Sequence, residues 1–281
     1  MKKTRPGCFG TIATLKGTPE RVDFLSLHTH TEIDLPPTCL EAMNPSRIRI
    51  LAMAIASLAF PFGSFAGEPT VLIDESFEAE TLPEKWQAGG RPNSFMIIEG
   101  ALRGIAQPDD SHGPSIGVPL AGQNLSVEFD VKLVSPRSYF LFLIDGDSQF
   151  KGQAHLLRFS ASGKAVALMQ DRGDPASKLA QKKERDANGG KRIQPTPEQL
   201  ADPAFYRIEP LARQAADPSD GAWHHVRIEL RGNVVSARFD EGPELSATGT
   251  VLDVPKSRIV FLVGQNGDVR IDNVKVTNVA K

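Results

Sequence analysis

Two acidic residues, Glu128 and Asp130, are separated by one residue in a segment of alternating polar and apolar residues. In a strand this alternation places both carboxylates on one face, about 6.5 to 7 Å apart along the chain. Cleavage of a glycosidic bond uses two carboxyl groups, which lie about 5 to 5.5 Å apart in retaining enzymes. Lys132 occupies the next position on that face, so the row of acidic side chains ends at Asp130. The alternative interpretation of this segment is an ordinary strand whose polar face contacts solvent.

A second set of side chains has the chemistry to bind a sugar, because an aromatic ring can stack on a pyranose and fixed donors can bond to its hydroxyl groups. The predicted ligand-binding residues are Tyr139, His155, Arg158, Trp223, His225 and Arg227. Each has a structural alternative: Trp223 can close the end of a sandwich, and His225 can be a surface imidazole. The sequence contains no serine-nucleophile elbow, zinc-protease helix or phosphate-binding loop.

Short apolar segments punctuated by Gly, Pro, Asn and Asp predict the elements that position these residues: an antiparallel all-β domain. About a dozen strands suit a two-sheet jelly-roll sandwich better than an immunoglobulin domain. The predicted strands are 70–73, 95–98, 101–105, 115–118, 125–133, 139–145, 155–160, 165–170, 223–230, 234–240, 258–264 and 269–277. Glu99-Gly100, Ser162-Gly163 and Arg231-Gly232-Asn233 predict hairpin loops.

Strand patterns also predict which faces are buried. Segment 125–133 alternates strictly, which indicates an outer or edge strand, whereas Tyr139 to Ile144 is apolar on both faces and predicts a central strand. In segment 223–230 the inward positions are His224, Val226, Ile228 and Leu230. The outward positions are Trp223, His225, Arg227 and Glu229, a polar platform with one aromatic ring.

Segment 171–221 breaks the β pattern, because it is highly charged and contains six prolines. Asp174 as N-cap and Pro175 at the first helical position predict a short exposed helix that ends at Asn188-Gly189-Gly190. A connection this long inside a compact domain is uncommon. It predicts either a lid or rim over a binding surface, or a solvated excursion.

Residues 43–66 predict a secretory signal sequence, with Arg47 and Arg49 before an apolar run and small residues at Ser64 and Ala66. We expect cleavage between Ala66 and Gly67. The apolar run is too short for a permanent membrane anchor. Residues 1–42 have no sustained periodicity and predict a disordered or non-native leader, with translation starting at either Met1 or Met43.

Charge and cysteine content limit the partners of the domain 67–281. It carries 25 Lys and Arg against 29 Asp and Glu, which disfavours nucleic acid and anionic membranes and favours a neutral ligand. Both cysteines, Cys8 and Cys39, precede it, so a hydrophobic core must stabilise the domain without disulfides. Cys8 and Cys39 with His28 and His30 match no familiar zinc spacing.

The run Trp223-His224-His225-Val226-Arg227-Ile228-Glu229-Leu230, the turn Arg231-Gly232-Asn233 and the closing Val269-Arg270-Ile271-Asp272-Asn273 resemble concanavalin A-like lectin/glucanase jelly rolls. The resemblance covers about residues 70 to 280 and is nearest to secreted bacterial 3-keto-disaccharide hydrolase (family-16-glycosidase-like) domains. It implies a carbohydrate ligand on the concave sheet. Glu78 and Asp272 resemble the pair that holds a structural calcium in such modules.

Taken from residues and resemblance together, the sequence predicts an exported domain, periplasmic or extracellular, that binds or processes a neutral glycan. A glycoside hydrolase is the first alternative and requires carboxylates that converge in the groove. A non-catalytic scaffold or interaction domain is the second, and would present a large apolar patch without a groove. No complete catalytic motif decides between them.

Overall fold

The computed structural model describes residues 69–107, 113–191 and 193–280. The predicted leader, the signal sequence and its cleavage position lie outside the described residues. The strands are β1 (Thr70–Glu75), β2 (Gln87–Gly89), β3 (Phe95–Ile98), β4 (Ala101–Ile105), β5 (Ser115–Gly122), β6 (Leu125–Leu133), β7 (Tyr139–Asp147), β8 (Gln153–Ser162), β9 (Ala165–Arg172), β10 (Arg207–Ala215), β11 (His224–Arg231), β12 (Val234–Phe239), β13 (Leu245–Thr248), β14 (Lys256–Val263) and β15 (Asp268–Asn278). The helices are α1 (Pro175–Ala187) and α2 (Pro197–Ala201).

These strands form two antiparallel sheets. Sheet 1 has the order β13-β12-β11-β6-β15-β4-β3, and β1 pairs with the second half of β15 beside β4. Sheet 2 has the order β10-β9-β8-β7-β14-β5-β2. The predicted all-β sandwich of two antiparallel sheets is therefore confirmed.

Aromatic rings fill the space between the sheets. The Phe129 ring of sheet 1 lies 5.1 Å from that of Phe142 and 5.4 Å from that of Phe261, both on sheet 2. Trp86 stacks on Phe261 at 5.9 Å. Such contacts add to the area that each ring buries, so this cluster supplies the core that a disulfide-free domain requires.

Burial along the strands confirms most of the predicted faces. The four inward residues of β11 are buried, and β7 lies in the middle of sheet 2 with both of its faces covered. The edge-strand alternative for β6 is wrong, because β6 pairs with β11 and β15 inside sheet 1. Alternation reports that one face is exposed; it carries no information on whether both hydrogen-bonding edges are occupied.

Three strands are absent from the predicted set: β2, β10 and β13. The longest, β10, lies within segment 171–221 and pairs with β9, so that segment contributes a strand to sheet 2 as well as the predicted helix α1. Pro210 obscures its pattern. A proline is tolerated there because β10 is an edge strand whose register shifts between Pro210 and Ala212.

All three predicted hairpin loops have the backbone that their residues favour, including Gly163 at φ 54° between β8 and β9. Glu99 and Gly100 both adopt positive φ, at 54° and 70°, between β3 and β4. Gly232, at φ 57°, begins the two-residue loop between β11 and β12. These conformations match the right-handed twist of the flanking strands. Within the described ranges, no helix has the length and apolar character needed to span a membrane.

Candidate functional site

A pocket opens on the outer face of sheet 2, with an empty volume of about 550 Å³ that includes the space at its mouth. Ile144 and Ile259 point into the core, so strand alternation directs the adjacent residues, Asp145 and Arg258, to this outer face. The titratable side chains that line the pocket are Asp145, His155, Asp171, Lys178, Tyr206 and Arg258.

Asp171 of β9 is the centre of a hydrogen-bonded cluster beside the pocket. Arg158 of β8 donates to both of its oxygens, from Nε at 2.5 Å and from Nη2 at 2.7 Å. The Tyr206 hydroxyl donates at 2.7 Å, and Lys178 Nζ of α1 lies at 3.3 Å. Because a bidentate Arg–carboxylate pair fixes both partners, this cluster is rigid and joins β8, β9, α1 and the segment before β10.

The cluster holds Asp171 in its charged form. Burial by itself would raise the pKa of Asp171, but hydrogen bonds and charge from Arg158, together with Tyr206 and Lys178, outweigh burial and lower that pKa. Burial and the neighbouring Asp171 charge raise the pKa of Tyr206, so its hydroxyl stays protonated and donates. Asp171 therefore acts as an anionic acceptor and is a poor proton donor.

A second ionic group lies at the end of β7. His155 Nδ1 is 2.6 Å from Asp145 Oδ1, and Arg258 Nη2 donates to Asp145 Oδ2 at 3.0 Å. A carboxylate only accepts, so Nδ1 carries the proton in this contact and Nε2 is the nitrogen available to a ligand. An aspartate that orients a histidine in this way is also how a general base is positioned.

Gly173 brings helix α1 to the pocket. A Cβ at this position would lie 2.5 Å from the carbonyl oxygen of Phe205, and its φ of +105° is one that L side chains rarely adopt. Asp174 follows and caps α1, accepting from the N–H of Ala176 at 2.8 Å. The helix therefore starts at the pocket wall, with Lys178 on its first turns.

Three of the predicted ligand-binding residues share the outer face of sheet 2. His155 lines the pocket, and Arg158 lies behind Asp171. Tyr139 is on the same face, in a small apolar cluster with Leu141 and Leu143. Burial raises the pKa of Tyr139, partly offset by the charge of Arg158. The two faces of β7 are thus covered by the main core and by this cluster.

The other three predicted binding residues lie on or directly beside sheet 1, across the core from the pocket. Trp223 directly precedes β11, and 43% of its surface is exposed. His225 and Arg227 point outward from β11, as predicted. His225 Nδ1 lies 2.8 Å from Asp130, and Arg227 Nη2 donates to Glu229 at 2.5 Å. The structure does not bring these residues together with His155 and Arg158.

The Glu128–Asp130 pair considered for glycoside hydrolysis also faces outward from sheet 1. Asp130 accepts from Asn273 at 2.7 Å in addition to its contact with His225, and Glu128 lies 3.6 Å from Arg227. Both carboxylates belong to a surface layer of ion pairs, and neither reaches the pocket on sheet 2.

The two predicted calcium ligands lie near each other. Burial raises the pKa of Asp272, the N–H of Asn273 lowers it, and the charges of Asp130 and Glu78 raise it further. Among the described residues, no group of three or more His, Cys, Asp or Glu side chains is arranged to hold a metal ion. A structural calcium at Glu78 and Asp272 stays a prediction.

Sequence reasoning missed five of the titratable residues at the pocket: Asp145, Asp171, Lys178, Tyr206 and Arg258. A signal existed for two of them. Asp145 directly follows the apolar run of β7 and Arg258 directly precedes that of β14, and the two are register partners on neighbouring strands. No local pattern identifies Lys178 or Tyr206, because both come from the charged segment between β9 and β10.

Comparison with solved structures shows the fold of this chain. No protein-family model matches the chain, and no curated protein matches it. Solved structures do: LamA from Zobellia galactanivorans in complex with laminaritriose and laminaritetraose has a TM-score of 0.52 at 12% identity, covering 74% of this chain and 99% of that chain. The laminarinase from Rhodothermus marinus has a TM-score of 0.52 at 12% identity, covering 76% and 100%. Porphyranase B from Zobellia galactanivorans has a TM-score of 0.51 at 10% identity, covering 76% and 94%. The chain therefore has the concanavalin A-like jelly-roll fold of these enzymes, as the sequence predicted.

Proposed function

We propose that this protein binds a carbohydrate in the pocket on the outer face of sheet 2. The observation that carries the proposal is the pocket itself, where polar side chains from four neighbouring strands of sheet 2 and from α1 converge at one opening. Rigid strands hold these groups, and their mutual hydrogen bonds fix their orientation before a ligand arrives. Preorganised polar groups of this kind are what fixes the orientation of a small ligand.

The fold supports a sugar over other small molecules. LamA, which shares this fold, was solved with laminaritriose and laminaritetraose, and two further proteins of this fold are a laminarinase and a porphyranase. The pocket adds an exposed face of His155 and the phenol of Tyr206, both able to contact a ring or its hydroxyl groups. We further propose that the protein is exported after cleavage near Gly67 and meets its glycan outside the cytoplasm.

Glycoside hydrolysis is the second candidate, favoured by the contact between His155 and Asp145 in the pocket. The two carboxylates of the pocket, Asp145 and Asp171, are each engaged by basic partners. Asp171 has a lowered pKa and is a poor general acid, so His155 is the group with which a catalytic step would begin. This candidate includes the 3-keto-disaccharide hydrolysis implied by the sequence resemblance.

The test compares two histidines that each contact an aspartate. His155→Ala alters the pocket, whereas His225→Ala alters the outer face of sheet 1. A glycan array identifies a ligand, and calorimetry then measures its affinity for each protein. We expect His155→Ala to weaken binding about fivefold or more, on the scale of one lost hydrogen bond. His225→Ala should leave the affinity unchanged.

Two results would count against the proposal. Weaker binding in His225→Ala or Trp223→Ala, with normal affinity in His155→Ala, would move the site to sheet 1. Absence of binding to every glycan on the array would remove the carbohydrate function.

A separate experiment distinguishes hydrolysis from binding: the bound glycan is incubated with the protein, and the released reducing ends are measured. Release that is lost in His155→Ala supports catalysis, and no release supports binding alone.

A further inference from the structure

The charge at the pocket differs from that of the whole chain, which has a formal net charge of −2. Three basic side chains, Arg158, Lys178 and Arg258, contact two carboxylates, Asp145 and Asp171. With Arg158 counted, which lies behind Asp171, the formal charges of these five side chains give an excess of one positive charge. The overall acidity of the chain does not describe what a ligand meets at this site.

Exposure separates the two signs of charge. The side chains of Asp171 and Asp145 are 1% and 5% exposed, whereas those of Lys178 and Arg258 are 38% and 40% exposed. The carboxylates thus lie beneath the cations, and a ligand that enters the pocket meets the cations first. Fields from such groups are focused in a cleft with low-dielectric walls.

Hydrogen-bonding capacity leads to the same ligand chemistry. The oxygens of Asp171 already accept from Arg158 and Tyr206, with Lys178 adjacent, so they have little room for sugar hydroxyl groups. Arg258 uses Nε and Nη2 for Asp145, which leaves its Nη1 group for a ligand. Lys178 lies 4.8 Å from the centre of the Tyr206 ring and brings a positive charge to the same wall. Cationic donors of this kind bind carboxylate and sulfate oxygens strongly.

We infer that the glycan bound in this pocket is acidic, with a carboxylate or sulfate group that contacts Lys178 and Arg258. This inference rests on the proposed function and specifies its ligand class. It departs from the neutral glycan expected from the overall charge, because the local excess of exposed cations decides which ligand is attracted.

The test uses pairs of probes that differ in charge. Trigalacturonate is compared with its fully methyl-esterified form, and sulfated carrageenan oligosaccharides with their desulfated forms. Calorimetry on the purified full chain measures each affinity at low and high NaCl, and inorganic sulfate serves as the bare anion. We expect one acidic sugar to bind about tenfold or more tightly than its neutral counterpart, with affinity decreasing as salt screens the contact.

Three variants locate the contact. Lys178→Gln and Arg258→Gln should each weaken binding of the acidic sugar about tenfold and leave the neutral form unaffected. Lys183→Gln removes the same charge from an exposed position of α1 outside the pocket lining, and should bind as the parent protein does. Lys178→Arg keeps the charge and should retain most of the affinity. Melting temperatures confirm that each variant is folded.

The outcomes separate this inference from the proposed function. If charged and neutral sugars bind with equal affinity, and both lose binding in His155→Ala, the inference of an acidic ligand is wrong. The proposal that the pocket binds carbohydrate would then still stand. Acidic binding that survives both Lys178→Gln and Arg258→Gln would also overturn it. If the protein binds inorganic sulfate but none of the sugars, both the acidic-glycan inference and the proposed carbohydrate function are wrong, because the pocket then binds a simple anion.

Discussion

Replacement of Arg158 by Met should destabilise the protein by leaving a charge without its main partner. The Asp171 side chain is 1% exposed, and Arg158 supplies two of its hydrogen bonds. Removing one partner of a buried ion pair costs about 3 to 5 kcal/mol. Tyr206 and Lys178 remain as donors to Asp171, so we expect a loss near the lower limit, about 3 kcal/mol.

The pH dependence of this loss identifies its cause. In the parent protein the pKa of Asp171 is below its ordinary value of 3.8. The charged Asp171 therefore stabilises the fold above pH 3.8, and this stabilisation is lost as pH falls through the pKa of Asp171 in the folded protein. Without Arg158, burial raises that pKa, and the variant recovers stability as Asp171 takes up a proton. The stability difference between the two proteins should therefore narrow from pH 7 to pH 4.

Urea denaturation followed by circular dichroism measures both quantities. The double variant Arg158→Met/Asp171→Asn removes the uncompensated charge and should recover about 2 kcal/mol of the loss. Arg213→Met, at an exposed position of β10 in the same sheet, serves as the control and should change stability by less than about 0.5 kcal/mol. A loss below about 1 kcal/mol for Arg158→Met, or a difference that is constant with pH, would refute the assignment of Asp171 as a buried anion held by Arg158.

Three further predictions concern the register of β11, a buried lysine and processing. Leu230→Ala should reduce the unfolding free energy by about 2 to 5 kcal/mol because Leu230 is fully buried, whereas the outward Glu229→Ala should cost little; equal and small losses in denaturation would contradict the register. Burial lowers the pKa of Lys256 to about 8, partly offset by the charge of Asp253. Between about pH 8 and the ordinary value of 10.5, Lys256 therefore holds its proton in the unfolded chain but not in the folded protein. Lys256 should thus make the protein more stable as pH rises through this range. Denaturation of the parent protein and Lys256→Met across that range checks the effect, and parallel pH profiles would show that Lys256 does not titrate there. Mass spectrometry of exported material should find an N-terminus at or near Gly67, and peptides from residues 1–42 in that material would contradict cleavage.

Local patterns in the sequence were sufficient for most of the secondary structure. Alternation in β6 and β11 reports which side chains are buried, because successive residues of a strand point to opposite faces. The Glu99-Gly100 turn and the Asp174 cap depend on backbone preferences of a few neighbouring residues. Such features are decided within a short segment, and the structure agrees with them.

The pairing of strands was beyond those patterns. The alternation of β6 is the same for an edge strand and for a strand between two partners, and β10 carries a proline that weakens its signal. Hydrogen bonding between distant strands depends on long-range packing, which a local window does not contain. For this reason the predicted set lacked β10 and described β6 as an outer or edge strand.

The candidate site was decided by tertiary structure. The sequence by itself determined that His225 and Arg227 share the outward face of one strand. It did not place Tyr139, His155 and Arg158 on a common face, because His155 and Arg158 are an odd number of positions apart and only the register shift between β7 and β8 aligns them. Only the stacking of the two sheets places these sets on opposite sides of the core. Asp145 and Arg258 are separated by 113 positions, yet register pairing makes them neighbours, and α1 adds Lys178. The physical reason is that binding chemistry depends on distances through space, whereas a strand pattern records only the direction of each side chain relative to its own backbone.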